Sequence, residues 1–99
     1  MLKIRIHEFA SNEFDEAIQW YELQAKGLGN RFKKEVVNRI KSAQKNPSWY
    51  PQESKNIYKL YIPKFPYKVL FTFNDTHIII WAVCHLHRKP LYWKSRINT

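Results

Sequence analysis

The sequence predicts an α+β fold: an antiparallel β-sheet with an N-terminal α-helical hairpin packed on one face and a short C-terminal helix or turn, in the order β-α-α-β-β-β. Three observations predict it. Two stretches near the N-terminus carry apolar residues at helical spacing. A first short segment alternates apolar and polar residues. The last third holds two runs rich in β-branched and aromatic residues, Tyr67 to Phe73 and His77 to Cys84, separated by Asn74-Asp75-Thr76, which reads as a hairpin.

Leu2, Ile4 and Ile6 alternate with Lys3, Arg5 and His7, the period of a half-buried strand. Its apolar set is short, so an outer strand is expected. Ser11-Asn12-Glu13 supplies a helix start, with Glu13, Asp15 and Glu16 near the positive end of the helix dipole. Phe14, Ala17, Ile18 and Tyr21 then form one apolar face. Trp20 falls off that face and is read as packing against the second helix, with a partner contact as the alternative. Gly27-Leu28-Gly29-Asn30 breaks the pattern, a glycine there supplying a left-handed cap. It joins two helices, so its G-x-G is no dinucleotide fingerprint.

Phe32, Val36, Ile40 and Ala43 make the apolar side of the second helix, and Lys33, Lys34, Arg39, Lys41 and Lys45 occupy much of the rest. That charged side reads as a solvated face, with phosphate or partner binding as the alternative. Asn46 to Asn56, with Pro47 and Pro51, reads as loop; Ile57 to Ile62 as strand; and Pro63 to Pro66 as a connection. Ile78 to Cys84 is apolar throughout, as in a central strand covered on both faces.

Ninety-nine residues with 44% hydrophobic content suit one domain spanning 1–99 with a single core. The lone cysteine, Cys84, permits no intramolecular disulfide and fits a reducing cytoplasm. No signal-peptide h-region and no run approaching the roughly 20 residues of a membrane helix is present, so a cytoplasmic chain with no membrane partner is expected. The net charge of +9 favours a polyanion or a strongly acidic protein as partner. Residues 51–99 carry +6 of it, while Glu8 to Glu22 holds five acids and no Lys or Arg.

His85-x-His87, with Cys84, His7 and His77, gives no defensible zinc spacing, so no metal and no cofactor are expected. Cys84 sits in an apolar strand and reads as a structural thiol. Metal-free RNA cleavage is the enzymatic possibility. It needs a base for the 2′-OH, cations around the phosphorane and a proton for the leaving oxygen. Lys68, His85, His87, Arg88, Tyr92 and Arg96 are the candidates for those roles. Tyr92 or Trp93 is suited to stack on a base. Lys59 and Lys68 are placed to share a sheet face and bind phosphate.

The run FPY (residues 65–67), the hydrophobic hairpin and the ending H85-x-x-R88-x-P90-x-x-W93-x-x-R96 resemble the RelE/ParE superfamily of toxins from type II toxin–antitoxin (plasmid stabilisation) systems. LGNRF (28–32) and KNP (45–47) upstream are similar to it as well. In the messenger-RNA-cleaving members, the resemblance implies catalysis by basic residues of the sheet and a C-terminal tyrosine, here Lys68 and Tyr92. The position of a key arginine, two before Arg88, holds Leu86. The ending looks closer to the ParE-like branch, which inhibits DNA gyrase without hydrolysis. That branch implies a binding surface of Lys59, Arg88, Lys89, Trp93, Lys94 and Arg96, with Arg88 and Arg96 contacting an acidic partner or phosphate. His85 then closes the strand and Trp93 anchors the C-terminal segment. The resemblance also implies a cognate acidic antitoxin as partner, with DNA gyrase or the ribosome and its message as target. A ribosome-dependent messenger-RNA endoribonuclease is the first alternative, and an inactive or structural binding module of the same fold the second.

Overall fold

The computed structural model describes residues 1–97. It contains strand β1 (Lys3–Ile6), helices α1 (Glu8–Gln24) and α2 (Leu28–Lys45), a 3-10 turn at Pro47–Trp49, strands β2 (Gln52–Ser54), β3 (Ile57–Tyr61), β4 (Tyr67–Phe73) and β5 (His77–His85), and a second 3-10 turn at Lys94–Arg96. The five strands form one sheet in the order β1-β5-β4-β3-β2. The helical hairpin carries the chain across one face to the far edge, and the β2–β5 meander walks back until β5 lies beside β1.

The α+β expectation holds, with two refinements. The sheet is mixed, because β1 pairs with β5 in parallel while the other pairings are antiparallel. The stretch 46–56, expected to be loop, contributes the Pro47–Trp49 turn and the edge strand β2. The expected outer position of β1 is the observed one; Ile4 and Ile6 are 40% and 43% exposed.

Helix α1 starts earlier than Ser11. His7 is its N-cap, the ring Nδ1 accepting from the Phe9 N–H at 3.1 Å. Its buried residues are Ala10, Ala17 and Tyr21, with Phe14 and Ile18 packed at the core margin. Helix α2 begins at Leu28, so Leu28, Gly29 and Asn30 lie inside the helix that they were expected to precede. Gly27, at φ 85°, turns the chain, and the Glu22 carboxylate accepts from the N–H groups of Gly27 and Gly29, satisfying orphan donors at the start of α2. Phe32, Val36, Ile40 and Ala43 are buried as a set. Arg39, grouped from sequence with the charged side, turns back instead, its Nε donating to the Tyr61 carbonyl at 3.3 Å.

The main core lies between the helices and the sheet: Phe32, Val36 and Ile40 meet Leu60, Val69, Phe71, Ile78, Ile80 and Val83. A smaller cluster on the opposite sheet face joins Leu70, Ala82, Cys84 and Trp93. A β-bulge sets which β5 residues join which cluster. Leu70 pairs with Ala82 but Phe71 with Ile80, leaving Trp81 unpaired and reversing the in–out alternation beyond it. Val83 thereby joins Ile78 and Ile80 on the helix side, while Ala82 and Cys84 join the smaller cluster.

Gly29 lies where the helices touch. An added Cβ would sit 2.5 Å from the Ile18 carbonyl oxygen. Gly→Ala within a helix ordinarily stabilises by about 1 kcal/mol, but here we expect Gly29→Ala to destabilise by about 1–3 kcal/mol through overpacking. Urea unfolding checks this; a variant as stable as the parent contradicts it.

Candidate functional site

The C-terminal segment folds back from β5 across the start of α1, and one carboxylate receives it. Beyond Ile80, whose carbonyl accepts from the His7 N–H, β1 has ended and the edge of β5 lacks a strand partner. Glu13 Oε1 accepts the Val83 N–H at 3.0 Å, and Arg96 Nη1 donates to the Trp81 carbonyl at 3.2 Å. The two side chains thus take over where the backbone ladder stops. Arg96 Nη1 and Nη2 donate to the two Glu13 oxygens at 2.8 and 2.9 Å, a fork-on-fork ion pair. The Tyr92 hydroxyl donates to Glu13 Oε2 at 2.7 Å and Arg88 Nη1 does so at 3.3 Å. Both guanidinium groups lie against the Tyr92 ring, Arg88 at 3.8 Å and Arg96 at 5.1 Å from its centroid.

Burial works to raise the Glu13 pKa, but the hydrogen bonds from Arg96, Tyr92 and Val83 and the Arg96 charge outweigh it, and the carboxyl titrates below its ordinary value. Burial, with bonds to Cys84 and Glu13, pushes the Tyr92 hydroxyl well above the phenol range. Its bonds to Glu13 push the Arg96 guanidinium up, and burial raises the Cys84 thiol.

Arg88 and Arg96 are therefore together but unequal. The Arg96 side chain is 9% exposed and held inside the fold, whereas Arg88 is 51% exposed. The expectation that Arg96 meets a partner or phosphate is corrected: its side chain is largely buried, and Nη1 and Nη2 are engaged by Glu13 and the Trp81 carbonyl. Trp93, proposed as a binding residue, is 3% exposed and packs on Leu70, Ala82 and Cys84, so it offers no surface to a partner. Lys59 and Lys68 do share the face of the sheet opposite the helices, but they converge on Glu53, at 3.7 and 2.9 Å, not on open solvent. Lys89 and Lys94 are exposed, as is His87. His85 is half-buried, its ring edge-on to Tyr67 and its Nδ1 accepting the His87 N–H at 3.1 Å.

Lys68, Cys84, His85, Arg88 and Tyr92 nevertheless line one cavity of about 200 Å³, closed by Glu53 and the turn 86–91. On the other side of His85, Trp20, Tyr21, Pro66 and Tyr67 wall a slot of about 380 Å³. Trp20 does not pack against α2 as expected; it is 56% exposed and stands edge-on to Tyr21 at this slot. Among the described residues no three His, Cys, Asp or Glu side chains gather as metal ligands, and no helix is long and apolar enough to cross a membrane.

Two acids central to this arrangement, Glu13 and Glu53, were not singled out as site residues from sequence. Glu13 carried a signal: it shares the three- and four-residue spacing of Ala10 and Ala17, a polar residue within a buried stripe. Glu53 carried none, because its partners depend on strand pairing.

No protein-family model matches the chain, nor does any curated protein by sequence. Among solved structures it is similar to a chain of the chromosomal ParDE TA system from P. aeruginosa, at TM-score 0.74 and 16% identity, over 88% of this chain and 98% of that one. The two share a fold.

Removing the Glu13 charge strands Arg96 in a largely buried position. We expect Glu13→Gln to destabilise by about 3 kcal/mol at neutral pH, the lower end for breaking a buried pair. Because the carboxyl titrates lower folded than unfolded, its contribution is complete above its ordinary value of 4.5 and vanishes as the pH falls through the lowered one. The stability gap between parent and variant therefore closes on acidification. Urea unfolding followed by tryptophan fluorescence at pH 7 and at about pH 3 checks both statements; a gap that stays constant contradicts them.

Proposed function

We propose that this chain is the toxin of a type II toxin–antitoxin pair, of the ParE-like kind, and that it blocks growth by binding and inhibiting DNA gyrase. The fold shared with the ParDE-system chain supports the first part, together with the sequence resemblance at residues 65–67 and 85–96. What carries the choice of binding over cleavage is the internal pairing of three of the catalytic candidates. Lys68 is held by Glu53, and Tyr92 and Arg96 are held by Glu13. A general acid or base must exchange its proton with substrate, and a Tyr92 hydroxyl bonded to a carboxylate and raised in pKa is poorly placed to do so. The cations left outward at this end, Arg88, Lys89 and Lys94, suit recognition of an acidic surface. A cognate acidic antitoxin is the partner that neutralises the chain, and its cytoplasmic location follows from that role.

The runner-up, a ribosome-dependent messenger-RNA endoribonuclease, is favoured by one observation: Lys68, His85, Arg88 and Tyr92 line a single cavity. Primer extension on ribosome-bound message distinguishes it, since new cuts appear only under that reading.

Expression of the chain without its antitoxin is expected to arrest growth, and the purified protein to inhibit gyrase supercoiling. Arg88→Ala is expected to raise the half-inhibitory concentration about tenfold or more, as for an interface hot-spot arginine, with the melting temperature little changed. Arg96→Ala is expected to lose activity through loss of stability instead. A harmless chain that leaves gyrase untouched overturns the proposal.

A further inference from the structure

The second helix carries a feature that the toxin reading leaves unused. Opposite its buried residues, Arg31, Lys34, Asn38, Lys41, Ser42 and Lys45 recur at three- and four-residue spacing, and all are exposed. At 1.5 Å per residue this stripe runs about 21 Å. Among the described residues, the ion pairs formed involve only Glu13 and Glu53, so no carboxylate neutralises any of its four cations. Glu35, the sole acid of α2, is half-buried. At its C-terminal end the stripe meets an open cleft of about 910 Å³, where Lys45 and Lys3 share the lining with His77, Asn74 and Thr76, Asp75 is the one acid, and Met1, Leu2, Pro47 and Phe73 form an apolar floor.

We infer that this outer face of α2, continued into the cleft between Lys3 and Lys45, binds the phosphodiester backbone of a nucleic acid without reading its sequence. Successive cations along one helix face, with hydroxyl and amide side chains between them, are the groups that hold phosphate oxygens. An acidic protein is the competing occupant, but a docked helix or strand needs apolar anchors at the centre of its interface. The stripe contains none, and the apolar residues of the cleft lie at its end rather than at its centre. A duplex carries one charge per about 1.7 Å of axis, so its phosphates outnumber these cations along the stripe and pairing does not depend on register. The inference stands apart from the toxin reading and from the cluster around Arg88.

The test is fluorescence anisotropy of the purified chain with a labelled mixed-sequence DNA duplex of about 20 base pairs, and with a single-stranded RNA of the same length, between roughly 50 and 200 mM salt. Four phosphate contacts predict a slope of log affinity against log salt of about −3 to −4. The double variant Lys34→Glu/Lys41→Glu is expected to weaken binding tenfold or more at the low-salt end and to reduce the slope by about 2. The neutral pair Lys34→Gln/Lys41→Gln should fall between. Lys89→Glu/Lys94→Glu removes the same net charge from the C-terminal end and should retain the slope. Whichever nucleic acid binds tighter identifies the source of the backbone. Equal weakening by both charge-reversed variants, a loss confined to Lys89→Glu/Lys94→Glu, or no binding to either nucleic acid overturns the inference. All the substituted positions are exposed, and circular dichroism melting confirms that the variants compared are folded.

Discussion

A single carboxylate decides where the end of this chain lies. Glu13, projecting from the early turns of α1, collects the Arg96 fork, the Tyr92 hydroxyl, the Arg88 guanidinium and the Val83 N–H. Without it, the edge of β5 past Ile80 would expose an unpaired N–H, and the C-terminal segment would keep only the Trp93 cluster and the Arg96–Trp81 hydrogen bond among these ties. A paired charge with every oxygen satisfied is stable where a lone charge is costly. Most of its partners come from the tail, so the pair fixes the tail and the strand edge together.

That arrangement changes the meaning of the basic C-terminus. Its cations divide by acid contact into two populations. Lys59, Lys68 and Arg96 are neutralised inside the molecule by Glu53 and Glu13, and shape the site from within. Arg88 is intermediate, touching Glu13 while half its surface stays open, and Lys89 and Lys94 face outward. A recognition surface made from the second population, framed by the first, accords with a protein that binds a target. The exposed Trp20 beside Tyr67 and His85 adds an aromatic wall to the same end of the molecule.

The β-bulge at Trp81 is the other device on which this end depends. By reversing the alternation of β5, it sends Val83 to the helix side and Cys84 to the side on which Trp93 docks. An unbulged strand would point Ala82 to the helices and leave Trp93 without its present seat. The unpaired Trp81 residue then presents its carbonyl to Arg96. Packing and electrostatics thus converge on the stretch Trp81 to Cys84 of one strand.

The helical hairpin and the Tyr67–Phe73 and His77–Cys84 hairpin were legible in the sequence, because periodicity there reports burial and Asn74-Asp75-Thr76 marks a turn; the first strand was legible as an outer strand, although its alternation does not bury Ile4 or Ile6. So was the concentration of His, Arg, Tyr and Trp after the central strand. Other features depended on contacts distant in sequence. The parallel pairing of β1 requires the crossover to close first, and the strand character of Gln52–Ser54 exists only against β3. Above all, composition cannot say which cations find a carboxylate. Arg96 and Arg88 look alike along the chain, and Glu13 stands 83 residues from one and 75 from the other. Only folding brings them within hydrogen-bond reach, making one an internal strut and leaving the other half open to solvent.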